Sequence, residues 1–227
     1  MYPQTLVKRA LGLGLLVTLV VLTLSACEVE KQQRGSSARP LPEYEKALHP
    51  GEYHSEDFKP SLSFRVDKGW STSPPEVFDA LFLTRGETVG LGFVSAQQVY
   101  ATTKSGTPIV VNAPEDLIGW FQKHPYLQTS KPQPATVGGV KGVQFDVVVE
   151  DLPEDYSGVC GGDCVDIFRS SAIGSIAFME DNKQRVIVLG DVKGVTVTMG
   201  FSIRATDFDE FAPEAQEVIL SVQWRDS

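Results

Sequence analysis

The sequence predicts an α+β domain: an antiparallel β-sheet with helices packed on it. Three observations carry that expectation. From about residue 49 onward, apolar side chains alternate with polar ones at a period of two, as in strands with one buried and one wetter face. Two stretches switch to helical spacing, one inside the domain and one closing it. Strands otherwise succeed one another, the order of an antiparallel sheet carrying its helices as separate elements. The segment 50–227 is assigned to a single globular domain, long enough for one substantial core.

Before that domain the chain reads as an address. Lys8-Arg9 precede an uncharged run from Ala10 to Leu24. A run of that length suits the apolar core of a secretory signal and falls short of the ~20 residues that span a bilayer comfortably. It closes on Leu24-Ser25-Ala26-Cys27. The first 27 residues resemble the lipobox segment of bacterial lipoproteins, with a basic start, an apolar core, a leucine three before the cysteine and small residues directly before it. The resemblance implies a signal peptide over 1–26, cleavage before Cys27, a diacylglyceryl thioether on Cys27 and, usually, acylation of the new amino group. One acyl chain gives marginal membrane affinity, whereas two or more hold firmly. The alternatives are a transmembrane helix or a plain secretory peptide whose cysteine is incidental. Residues 28–42 (EVEKQQRGSSARPLP) are polar and lack an apolar period, so the segment 27–49 reads as a flexible tether. Within it, 43–49 is a short helical turn or further tether.

The domain's own elements follow in order. Leu62, Phe64 and Val66 alternate with Ser61, Ser63 and Arg65 until Lys68-Gly69-Trp70 ends the run. Strands are expected over 77–84, 88–95, 107–111 and 173–179. The first helix starts at Pro114, with Glu115 and Asp116 in its first turn, where they suit the helix dipole. Leu117, Ile118, Trp120 and Phe121 form its apolar face, and His124-Pro125 stops it. Val143, Phe145, Val147 and Val149 mark a strand, and Gln184 to Leu189 joins the strand 195–203 through a hairpin at 190–194. The second helix runs from about Asp207 to Val222, with Phe208, Phe211, Ala212, Ala215, Val218, Ile219 and Val222 on one side. Pro213 lies inside that pattern and predicts a break or a short first segment.

The stretches 51–70 (GEYHSEDFKPSLSFRVDKGW), 113–130 (APEDLIGWFQKHPYLQTS), 134–147 (PATVGGVKGVQFDV) and 205–224 (ATDFDEFAPEAQEVILSVQW) resemble a set of lipoproteins and secreted proteins, chiefly actinobacterial. Their architecture is similar to the PsbP-like α/β/α sandwich, a curved antiparallel sheet with helices on both sides. The resemblance implies that fold. It also implies a non-catalytic role, because PsbP-like domains mostly serve as binding or assembly modules.

Charge and motifs narrow the function classes. The formal charge is −9, and a nucleic-acid partner is not expected because the chain lacks the basic excess that displaces counterions from phosphates. Lys8 and Arg9 are the only charges in residues 1–26, so the chain from Cys27 onward carries 18 basic against 29 acidic residues. Cys160-Gly161-Gly162-Asp163-Cys164 is the sharpest internal feature. An oxidising compartment and a glycine-rich turn favour a Cys160–Cys164 disulfide. A redox-active pair and half of a zinc shell are the alternatives, although the spacing is three rather than two and no histidine lies near. The loop from Glu150 to Tyr156 gathers four carboxylates. It lacks the glycine and alternating ligands of a calcium loop and reads as a solvated acidic run. Val137 to Gly142 is simpler as a turn than as a phosphate cradle.

His49 and His54 stand near the domain entrance, and His124 lies at a helix end where a cation is comfortable. Trp70, Trp120 and Trp224 could form a ligand box, but each suits core packing better. No H-E-x-x-H, G-x-S-x-G, S-x-x-K or P-loop pattern occurs. No cofactor, metal site or catalytic residue is therefore expected. The expectation is a non-catalytic binding or assembly domain on the extracytoplasmic face of the cell membrane, held by a lipid on Cys27, with a protein or small molecule as partner. An envelope hydrolase whose site is assembled only by folding, and a structural subunit of an envelope complex, are the alternatives.

Overall fold

A computed structural model describes residues 38–74, 76–102 and 107–226. Cys27, the signal segment and the tether as far as residue 37 lie outside the described residues. In chain order the strands are β1 (Arg39–Pro40), β2 (Gly51–His54), β3 (Leu62–Val66), β4 (Trp70–Thr72), β5 (Ala80–Arg85), β6 (Val89–Ser95), β7 (Gln98–Ala101) and β8 (Ile109–Asn112). Helix α1 (Leu117–Lys123) follows, then β9 (Leu127–Thr129), β10 (Gln133–Val137), β11 (Val140–Val149), β12 (Cys164–Ser170) and β13 (Gly174–Met179). The chain then runs through β14 (Asn182–Val192), β15 (Val195–Arg204), α2 (Phe208–Leu220) and β16 (Gln223–Trp224).

Seven strands form the path of the large sheet, β10-β11-β14-β15-β6-β5-β4, and β9 pairs with the far end of β11. Every pair in it is antiparallel. Two smaller sheets, β1-β2-β3-β16 and β13-β12-β7-β8, complete the fold. Side-chain alternation gives the large sheet two covered faces. Leu91, Phe93, Ile187, Leu189, Met199 and Phe201 join Phe64, Phe208, Ala215 and Ile219 in one core, under α2. Val94, Phe145, Val147, Val186 and Val188 join Leu117, Phe121, Val165 and Phe168 in the other, under α1. One helix therefore lies on each face, and the α+β class with its helix–sheet–helix layering is as expected.

Several details differ from the sequence reading. The Thr196-Thr198-Gly200-Ser202 side of β15 reads from the sequence equally as a wetter face or as one lying under a helix, and Thr198 there is buried. β15 is central, and the β12–β13 side of the molecule covers that face. The hairpin after β14 is tighter than expected: the strand continues to Val192, and Lys193 and Gly194 alone make the turn, both at positive φ. The second helix does not break at Pro213. A 3-10 turn, Ala205–Asp207, precedes it, and the helix then runs unbroken from Phe208 to Leu220. Proline forfeits one backbone bond there, while Phe208, Ala212, Ala215, Val218 and Ile219 hold the helix to the sheet.

The tether, assigned to 27–49, is corrected over its last part. Arg39 and Pro40 pair in parallel with Tyr53 and His54. The Arg39 guanidinium stacks over the Tyr53 ring at 4.5 Å and donates to the carbonyls of His49 and Pro50. Leu48 is buried in the α2-side core. Residues 38–49 thus belong to the domain.

Candidate functional site

Of the cysteine assignments, the Cys160–Cys164 bond is present. Cys160 and Cys164 are bonded, with Cα atoms 6.1 Å apart, inside the range a bridge requires. The loop is anchored beneath by Asp166, which is buried. Its carboxylate accepts from the Val159 N–H at 2.7 Å and from the Ser175 hydroxyl, while its own N–H donates to the Tyr156 hydroxyl at 3.3 Å. Burial pushes the Tyr156 phenol above its ordinary range. Among the described residues, no group of three or more His, Cys, Asp or Glu side chains is arranged to hold a metal ion.

The three tryptophans do not form one box. Trp70 is buried in the α2-side core, and Trp224 packs against that core while its indole N–H donates to the Val137 carbonyl at 3.1 Å. Trp120 packs on the other side, against the α1-side core. The histidines are equally dispersed. His54 places Nδ1 2.8 Å from the Ala38 carbonyl and lies near Glu56, and the His49 carbonyl receives Arg39 and the Tyr53 hydroxyl.

His124 overturns its expected setting. It follows α1 with extended backbone, as a residue before proline must, but its ring is only 7% exposed rather than solvated as a cation. Burial pulls its pKa down to about 4. Nδ1 accepts from the Tyr126 N–H at 3.3 Å, which leaves the proton on Nε2 to be donated to the Thr102 hydroxyl at 3.2 Å. The ring meets Trp120 edge-on at 5.2 Å and Tyr126 at 5.9 Å, and Tyr126 in turn meets Tyr156 at 5.7 Å.

Thr102, Trp120, His124 and Tyr126 wall a cleft of about 610 Å³ between the end of β7, α1 and the approach to β9. Asp116 stands at its edge and is occupied as the helix cap, accepting from the Gly119 N–H at 2.8 Å. Lys123 supplies the other rim charge. The cleft thus offers aromatic edges, a hydroxyl and a neutral imidazole whose two nitrogens are both engaged. The hydrogen bonds of His124 go to Thr102 and Tyr126, not to a carboxylate that would orient it as a base.

No family model matches the chain, and no curated protein matches it. Two solved structures overlap most of it. Cyanobacterial PsbP (CyanoP) from Synechocystis sp. PCC 6803 aligns at a TM-score of 0.41 and 9% identity, over 78% of this chain and 95% of that one. LpqN, involved in cell envelope biogenesis of Mycobacterium tuberculosis, aligns at a TM-score of 0.37 and 12% identity, over 78% of this chain and 91% of that one. The fold is defined by the chain's own layers and register, described above, rather than by these overlaps.

Sequence reasoning set Trp120 on the first helix and His124 at its end but did not join them in one site, and it passed over Thr102 and Tyr126. The available signal was the run Trp120 to Tyr126, which sets four aromatic rings, Trp120, Phe121, His124 and Tyr126, at a helix end within seven residues.

Proposed function

We propose that this chain is a bacterial lipoprotein, anchored through Cys27 to the extracytoplasmic face of the cell membrane, whose domain binds a small molecule in the α1 cleft without transforming it. The observation that carries the binding reading is the state of His124. A histidine kept neutral by burial, with both nitrogens engaged and no carboxylate behind it, is a fixed aromatic wall rather than a proton shuttle. The location is supported by Leu24-Ser25-Ala26-Cys27 and by the Cys160–Cys164 bond, which suits an oxidising compartment.

Both halves are open to measurement. Mass spectrometry of the amino-terminal tryptic peptide should find a lipid-modified Cys27 as the first residue. A chain beginning at Met1, or a free thiol on Cys27, overturns the anchor. For binding, a photo-reactive residue at Lys123, on the cleft rim, should yield a reproducible adduct on intact cells, and one at the exposed Glu87 turn should not. Identical adduct patterns from the two positions would remove the cleft from the proposal.

Assembly with a protein partner is a second reading, favoured by β8. It is an edge strand of its sheet, and Ile109 and Val110 on it are 52% and 43% exposed. An edge with apolar side chains suits an extended partner segment adding as a further strand. Ile109→Lys should then abolish protein cross-links while leaving the Lys123 adduct intact.

A further inference from the structure

The α1 cleft carries opposite charges toward its two ends. Asp116, Trp120 and Lys123 stand at i, i+4 and i+7, a spacing that puts them on one face of α1. All three line the cleft, together with Gly119. Helical rise over seven residues sets the backbones of Asp116 and Lys123 about 10 Å apart along the axis.

Gly119 fixes where the carboxylate lies. Capping engages Asp116 Oδ1, which accepts from the Gly119 N–H. Oδ2 lies where a Cβ on residue 119 would stand, so only glycine admits it on that face. Oδ2 has no hydrogen-bond or ion-pair partner among the described residues, and neither has Lys123 Nζ, which stands exposed. The two charges do not pair with each other.

The Lys123 end holds a second donor. His124 follows Lys123 and binds Thr102, which brings the threonine to that end of α1. The Tyr126 N–H occupies Nδ1 of His124, so Nε2 carries the proton and Thr102 Oγ1 accepts it. A hydroxyl that accepts one bond still has its own hydrogen to give. Thr102 therefore faces a guest as a donor, beside the Lys123 ammonium, while the far end offers the Asp116 acceptor. Trp120 lies between them. Asp116 and Lys123 cancel, so a plain anion or a plain cation meets one attractive and one repulsive end. A guest with both charges meets two attractive ones.

We propose that the α1 cleft takes a short peptide with free termini, extended along α1. Its carboxylate meets Lys123 Nζ and the Thr102 hydroxyl, its ammonium meets Asp116 Oδ2, and its middle lies on Trp120. Three extended residues span about 10 Å, the separation of the two ends. The inference rests on the reading of this cleft as a binding site and adds the class of molecule it takes.

The test is an NMR titration of the full-length protein with trialanine, with N-acetyl-trialanine and trialaninamide as guests blocked at one end. Trialanine should give saturable shifts at the Trp120 indole N–H. The Trp224 indole N–H, bonded to Val137 on the α2 side, should not move. Each blocked peptide should bind about threefold more weakly, the worth of one exposed ion pair. Lys123→Met should erase the difference between trialanine and its amide, and Asp116→Asn the difference between trialanine and its acetyl form. Asparagine caps a helix as well as aspartate does, so that change removes the charge and keeps α1. Thr102→Val should weaken trialanine roughly fivefold, and Thr102→Ser should restore it. The proposal is overturned by the absence of a saturable shift at Trp120, by equal affinity for free and blocked peptides, or by a Lys123→Met variant that still prefers the free carboxylate. A cellular adduct at Lys123 beside a silent trialanine titration removes the peptide and keeps the cleft as a binding site; loss of both removes the cleft.

Discussion

At the scale of single residues, burial decides the state of His124 and ion pairing that of Asp146. His124 titrates near 4 in the folded chain and near 6.5 when unfolded. Its folded value is depressed, so the unfolded state takes up the proton first. Stability is therefore fully present above about pH 6.5 and falls as pH drops toward 4, by up to about 3 kcal/mol. Urea denaturation across that range should show the slope, and His124→Gln should flatten it. Asp146 also titrates below its ordinary range, but there the fold favours the charged form. Burial acts against its ionisation, but hydrogen bonds from Arg185 and Lys183 more than offset this and hold its carboxyl below the ordinary range. That contribution is present at neutral pH and is lost as pH falls through the depressed value. Asp146→Asn should cost about 1 kcal/mol at pH 7, and the gap to the wild type should narrow in strong acid. Nothing local in the sequence announces the burial of His124. The position before Pro125 suits a solvated cation equally well, and only the arrival of Thr102 and Tyr126 closes it in.

At the scale of elements, α2 carries the clearest opportunity. Pro213 is exposed, in a helix interior, and supplies no buried contact to the core. Pro213→Ala restores a backbone bond to Asp209 and should stabilise the protein by roughly 1–3 kcal/mol, read as a higher melting temperature. Asp116→Ala should cost about 1 kcal/mol through loss of the α1 cap. Elements were legible where one period dominated: β11, β15 and both helices were found within a few residues of their true ends. β12 was not, because it is buried on almost every side chain and carries a register shift between Asp166 and Phe168, which erases the period of two. The two-residue strands β1 and β16 have no pattern to show. They exist through their pairing with β2 and β3.

At the scale of the whole molecule, one sheet serves two cores, and they should therefore unfold together. Phe64→Ala and Phe121→Ala remove wholly buried rings from opposite faces, and each should cost about 3–5 kcal/mol. Both should keep a single transition in which far- and near-ultraviolet circular dichroism coincide; two separated transitions would show that the layers are uncoupled. Reduction of Cys160–Cys164 should be milder, roughly 2 kcal/mol for so short a loop, because Asp166 continues to hold the turn. Helices on both faces were legible as a resemblance, whereas the proposed binding cleft arises from long-range packing that no local spacing records. The docking of Arg39 and Pro40 onto β2 also fixes a radius. With 38–49 taken into the domain, only ten residues, eleven Cα–Cα steps, separate Cys27 from Ala38, where the described chain begins. At full extension they reach about 40 Å, half of what a leash running to residue 49 would allow. On the proposed anchor, Ala38 therefore stays within that distance of the membrane, and whatever the domain meets must come to within that distance plus the breadth of the domain itself.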